Sequence, residues 1–174
     1  MKKFETYTEW TTQFTGSACF THFNQLMAFD EWQSWPSCTA LQSLLPYEVE
    51  NLNGKKIEFV PQGASIDYSA VAYEEYIYER GQVPTRNKSW HDIFGAMSWC
   101  LFPKTKALLN KLHHDDIKQN GTQQRSTLRN ALTLFDECGV VLVSQNVEVL
   151  QRLKEHDWQS AFVDNCELWY SAGS

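Results

Sequence analysis

The chain has 174 residues, 43% of them hydrophobic and 14% aromatic, which is enough material for the core of one domain of ordinary size. Its longest apolar run, VVLV at Val140–Val143, is far too short to cross a bilayer, and MKKFETYTEW meets Glu5 before any apolar signal core, so the chain reads as a cytoplasmic protein without a membrane span. The net charge of −6 is uneven: residues 80–129 hold nine basic and three acidic residues, a balance of +6, and the remaining six basic and 18 acidic residues leave the rest at −12. Generic nucleic-acid binding needs a broad basic face and is not expected, whereas a local site for a small anion or an acidic protein surface fits the pattern.

In chain order, Phe4, Tyr7, Trp10 and Phe14, then Phe20, Phe23 and Met27, have helical spacing and predict short helices over 4–15 and 20–32. Ser37 after Pro36 predicts an N-cap, with Pro46 stopping the helix that follows. Residues 1–60 thus read as an N-terminal helical region. It forms one compact unit with a main domain over 61–174. Asn53-Gly54 marks a turn, and Ile57, Phe59 and Val60 predict a short strand closed by Pro61 and Gly63. A helix over 69–80 stops at Gly81, and GQVPTRN reads as a turn with a basic tip. The next helix starts at Asn87 or Ser89 and carries Trp90, Ile93, Phe94, Met97 and Leu101 as one stripe. Pro103 opens another helix, ending near Asn120-Gly121, and a third runs over 124–138 with Leu128, Ala131, Leu132, Phe135 and Cys138 aligned. These three helices are expected to form the domain centre. VVLVS then reads as a buried strand, Asn146 caps a helix through Lys154, and residues 158–170 form a last helix. The fold class is α+β, a helix-dominated single domain with two or three short strands. Five scattered cysteines without a C-x-x-C pair read as buried or half-buried free thiols.

Several polar residues stand out. His91 and Asp92 share a helix with the small residues Gly95 and Ala96. A helical glycine costs about 1 kcal/mol relative to alanine, so another backbone or a ligand is expected close to this face. Asp136 and Glu137 fall in the last turn of their helix, where the dipole disfavours acids, and Arg86 or Arg129 is the expected counter-charge. His113 flanks an apolar stripe and His114 reads as the more exposed of the two. His91, Asp92 and His113 are expected to line one polar cleft. A His91, His113 and Asp136 cluster is an open alternative, and neither a metal nor a cofactor is specified. H-E-x-x-H, G-x-S-x-G and phosphate-binding glycine loops are absent from the sequence.

The ordered set Tyr73-Glu74, GQVPTRN, WHDIF with Trp99, FPKTK with Leu109-Asn110 and His113, and R-x-A-x-T-x-FDE-x-G at Arg129–Gly139 resembles a bacterial family called domain of unknown function 3025. Gly95 stands where that pattern has asparagine, and relatives extend past the position of Trp169. The resemblance implies no activity. It does single out Arg86, Asn87, His91, Asp92, Asn110, His113, Arg129, Asp136 and Glu137.

Two functions fit these residues. One is a non-catalytic binding protein with a polar His/Asp/Arg cleft, in which Arg86, Asn87, Asn110, Arg129, Asp136 and Glu137 bind a small anion or an acidic partner. The alternative is a hydrolase, metal-dependent or not, acting on an anionic substrate with His91 or His113 as base, Asp92 beside them, and Asp136 and Glu137 as orienting groups or ligands. Without a nucleophile motif, the binding reading stands first.

Overall fold

The computed structural model describes residues 9–16, 20–63, 72–140 and 142–169. By compactness the chain divides into units of residues 1–136 and 137–174. The first unit contains helices α1 (Thr21–Met27), α2 (Cys38–Gln42), α3 (Tyr73–Arg80), α4 (Trp90–Leu101), α5 (Pro103–Asn120) and most of α6 (Thr127–Cys138), with strands β1 (Glu58–Pro61) and β2 (Gln82–Thr85). The second carries α7 (Val147–Lys154). The class is the helix-dominated α+β expected from the sequence.

β1 and β2 pair in parallel, Phe59 opposite Val83 and Val60 opposite Pro84, with α3 as the crossover. β2 lies where the sequence predicts a turn. Pro84 cannot donate to a ladder and argues against a strand, but among the described residues β2 has a single neighbouring strand, so one edge asks nothing of its amides. The α3–β2 junction depends on glycine. Gly81 has φ +75, and a Cβ there would stand 2.1 Å from the Lys56 carbonyl oxygen. Asn51 holds this approach in place. Buried at 4% exposure, it donates to the carbonyls of Ile77 and Tyr78 and accepts from the amides of Asn53 and Lys55.

Two apolar clusters form the core. Leu41, Val49, Ile57, Phe59, Ile77, Val83, Ala96, Trp99 and Ala107 join α2, the sheet, α3, α4 and α5. Met27, Phe29, Ile93, Met97 and Cys100 form the second, on the other side of α4, with half-buried aromatic rings around them. Trp10 stacks on Trp90 with centroids 4.9 Å apart and donates its indole N–H to the Trp32 carbonyl, which fixes the N-terminal segment against α4.

The caps fall where the sequence places them. Ser37 accepts from the Ala40 amide, Ser89 from Asp92, and Asn146 from Glu148 and Val149. Pro103 occupies the first turn of α5. The predicted helices over 4–15 and 20–32 reduce to 3-10 turns at Gln13–Gly16 and Phe29–Glu31 around α1, with residues 4–8 outside the described chain. Residues 69–71 of the predicted 69–80 helix also lie outside it.

Four expectations are corrected. α6 does not belong to the domain centre: only Arg129 and Leu132 are buried on it, and Phe135 is 53% exposed, whereas Phe94 is half-buried. VVLVS is not a buried strand. Val140, Leu142 and Val143 are exposed, Val143 at 92%, and the described residues of 137–174 offer no strand to pair with. The last helix is a π turn at Ser160–Asp164 followed by a 3-10 turn at Cys166–Trp169, because the Asn165 side chain takes the Ser160 carbonyl. Among the four described cysteines, all free thiols, Cys100 is buried and Cys38 half-buried, but Cys138 and Cys166 are exposed.

Candidate functional site

The corner where β2 passes into α4 gathers Arg86, His91 and Asp92. Asp92 is the third residue of α4, a position where the helix dipole favours an acid. Its carboxylate accepts from the Arg86 backbone amide at 2.7 Å, from Arg86 Nε at 3.0 Å and from Nη2 at 2.7 Å. His91 Nδ1 lies 2.9 Å from Asp92 Oδ1. Burial alone would raise the Asp92 carboxyl, but the hydrogen bonds from Arg86 and His91 outweigh it and hold it down to about 2. The same bonds push the Arg86 guanidinium up. The Asp92 side chain is 9% exposed, while those of Arg86 and His91 are 55% and 73% exposed. Asn87 and Lys88 form the exposed turn just before the helix, Lys88 with φ +56. A Cβ on Gly95 would meet nothing within 4 Å, so no described element makes the close approach expected there. Ala96 serves the core instead.

A second cluster sits on α5, which packs chiefly along α3. Asn110, 2% exposed, donates to the Glu74 carbonyl and to Glu74 Oε2, both at 2.8 Å. Its Oδ1 is buried without a partner among the described residues. His113 is 6% exposed, and burial pushes its imidazole down; Glu74 and Asp136 oppose the shift while Arg125 and Arg129 add to it. Among the described residues no hydrogen bond or ion pair joins His91 or Asp92 to Asn110 or His113, whose helix packs chiefly along α3. His114 is buried rather than exposed, its ring stacked on Tyr78 at 4.0 Å between centroids and its nitrogens 3.4 and 3.5 Å from Glu79 and Asp115.

The acids of α6 find a different cation from the one expected. Lys106 Nζ bonds both oxygens of Asp136 at 2.8 Å. Glu137 is exposed and forms no ion pair among the described residues. Arg129 pairs with Asp116, Nε and Nη2 at 2.8 and 2.7 Å from Oδ2, and Nη2 also donates to the Gly121 carbonyl. Ser126, Arg129 and Asn120 all donate to Asp116 and hold its carboxyl below the usual range. The pairing of Arg86 or Arg129 with Asp136 or Glu137 is thus replaced. Arg129 lies about two helical turns from Asp136 and faces the C-terminal end of α5. Sequence reasoning passed over Glu74, Lys106 and Asp116, whose partners lie 13 to 36 residues away with no shared period. Among the described residues no three His, Cys, Asp or Glu side chains come together as a metal site, and no helix is long and apolar enough to cross a membrane.

A family match covers residues 57–173, more than half of the chain. The chain belongs to the family described as protein of unknown function (DUF3025). The matched region of this DUF3025 protein runs from the residue before β1 and contains all the predicted site residues. No curated protein and no solved structure is significantly similar to the chain.

Proposed function

We propose that this DUF3025 protein is a non-catalytic binding protein that offers Arg86 and His91 to an anionic group, a phosphate or carboxylate, of a small molecule or an acidic protein surface. The observation that carries the reading is the Asp92 clamp. One nearly buried carboxylate fixes two side chains that are both more than half exposed. A fixed guanidinium loses less side-chain entropy on binding than a free one. Arg86 Nη1 has no hydrogen bond among the described residues, and Lys88 leaves the corner with positive charge after Asp92 is offset. The N-terminus of α4 adds a favourable dipole for an anion. Arg129 plays no such part in this reading, because Asp116 and Gly121 already engage it inside the protein.

The test is an NMR titration of the His91 ring with inorganic phosphate and with a glutamate-rich peptide. His91 signals should move in the native protein and stay fixed in Arg86→Met. Unmoved signals at millimolar concentrations of both probes would sink the proposal.

One observation favours a second reading. Asp92 Oδ1 sits 2.9 Å from His91 Nδ1 and leaves Nε2 turned outward, as an orienting carboxylate stands behind a general base. A hydrolase of this kind would use His91 with Asp92 rather than His91 with His113. Hydrolysis of a simple phosphate or carboxylate ester, lost in His91→Ala, would put this reading ahead.

A further inference from the structure

Lys88 stands between Arg86 and the cap of α4 in a left-handed backbone, φ +56. L residues rarely adopt that conformation, and glycine or asparagine takes it more readily. Nothing among the described residues offsets the strain: Lys88 is exposed and forms no hydrogen bond and no ion pair there. A strained residue without an internal partner directs attention to what it offers outward. Here that is charge. Arg86, Lys88 and Asp92 are the full charges of residues 86–92, and Arg86 and Asp92 pair at 2.7 Å. The remaining positive charge of this corner belongs to Lys88.

We propose, on the basis of the anion-binding reading of Arg86 and His91, that the ligand of this corner is the phosphomonoester dianion of a small molecule, and that Lys88 selects it over a carboxylate. Arg86 Nη1 and His91 Nε2 donate equally well to either anion, and the guanidinium charge is already offset by Asp92. They orient the ligand and discriminate little. An unpaired ammonium attracts a dianion with about twice the Coulomb energy of a monoanion at the same distance. Lysine also binds phosphate as a point charge, without the fixed geometry a guanidinium fork demands. The charge of the whole chain favours a compact ligand. Residues outside 80–129 sum to −12. An acidic protein surface covers more than the corner and is repelled by that excess, whereas a small ester presents its charge at the corner alone.

The experiment is NMR titration of the His91 ring in the full chain with phenyl phosphate, benzoate and a glutamate-rich peptide. It is run more than one unit above the ester's second pKa of about 6, so that the ester is a dianion. The native protein should bind phenyl phosphate about tenfold more tightly than benzoate or the peptide. Lys88→Gly should bring the two small anions within about twofold of each other. Its melting temperature should hold or rise, because glycine suits the left-handed backbone. Lys88→Arg, which keeps the charge, should keep the preference. A preference that survives Lys88→Gly overturns the role of Lys88. Benzoate or the peptide binding the native protein as tightly as phenyl phosphate overturns the phosphomonoester and leaves the anion-binding reading standing. A phosphoserine peptide with neutral flanks that binds more tightly than phenyl phosphate overturns the small-molecule source. Signals unmoved by every probe overturn the anion-binding reading and this proposal together.

Discussion

Asp92→Asn removes the charge from the clamp while keeping its shape. The Asp92 carboxyl stands at about 2 in the folded protein against an ordinary value of 3.8. At about 1.4 kcal/mol per pKa unit, that difference corresponds to an upper bound of about 2.5 kcal/mol of stability. Solvent screens the pair, because the Arg86 side chain is 55% exposed, and an exposed pair contributes about 1 kcal/mol or less. The expected effect of the clamp charge is therefore about 1 kcal/mol. Its pH dependence has a fixed sign. A carboxyl depressed on folding contributes its full stability above the unfolded value near 4 and loses it as pH falls towards 2. Urea denaturation of the native protein and of Asp92→Asn, followed by CD from pH 6 down to pH 3, measures the gap between them. The gap should be largest at pH 6 and begin to close below pH 4. A gap that stays constant through that window would refute the assignment of the clamp to ionic hydrogen bonds.

Other expectations follow from the same geometry. Arg129→Met alone should lower the melting temperature more than Arg129→Met with Asp116→Leu, since the single change strands a buried carboxylate; equal losses in thermal denaturation would contradict the pairing. Met97→Ala, at 1% exposure, should cost about 2–5 kcal/mol in urea denaturation, whereas Phe135→Ala should stay within about 0.5 kcal/mol. Gly81→Ala should cost more than about 1 kcal/mol, because alanine meets both the left-handed backbone and the Lys56 carbonyl. His113 is held neutral by burial, so the unfolded chain takes up its proton first as pH falls below 6.5. Stability should drop from pH 7 towards pH 5, and His113→Leu should flatten that slope in denaturation series across the range.

The parts of the fold written into short windows were legible. Ser37, Ser89 and Asn146 cap their helices because a side-chain oxygen reaches an amide two or three residues on, a relation contained in the sequence itself. Pro103 and Gly121 bound α5 for the same local reason. Failures came where a segment's state depends on something outside it. Val83-Pro84 becomes a strand because Phe59-Val60 lies beside it. VVLVS has strand composition but no described neighbour in its unit to complete a ladder. α6 has the clearest amphipathic pattern among the predicted central helices, yet the pattern says only that one side is apolar. Which surface meets that side is set by the rest of the molecule, and here Leu132 of the aligned stripe is buried while Leu128 and Phe135 are exposed.

The candidate site divides along the same line. Arg86, His91 and Asp92 lie within seven residues, on one cap and its first turn, so the sequence could bring them together. Asp92 was marked by the small-residue face of Gly95 and Ala96, and its pairing with Arg86 was not foreseen, although it stands at a helix start with that basic residue six positions before it. His113 was marked beside an apolar stripe, Asp136 at a helix end with Arg129 as its counter-charge, and Asn110 by the family pattern, but their partners are long-range. Glu74 reaches Asn110 across 36 residues and Lys106 reaches Asp136 across 30. Helical periodicity specifies the rotation of a residue about its own axis and leaves the choice of neighbouring helix open. Once α5 settles along α3, Glu74 accepts from Asn110, and its charge is felt at His113. Of His91, His113 and His114, the one that remains accessible is the one whose partner was encoded next to it. That is the physical ground on which we propose recognition at His91 and structural support at His113.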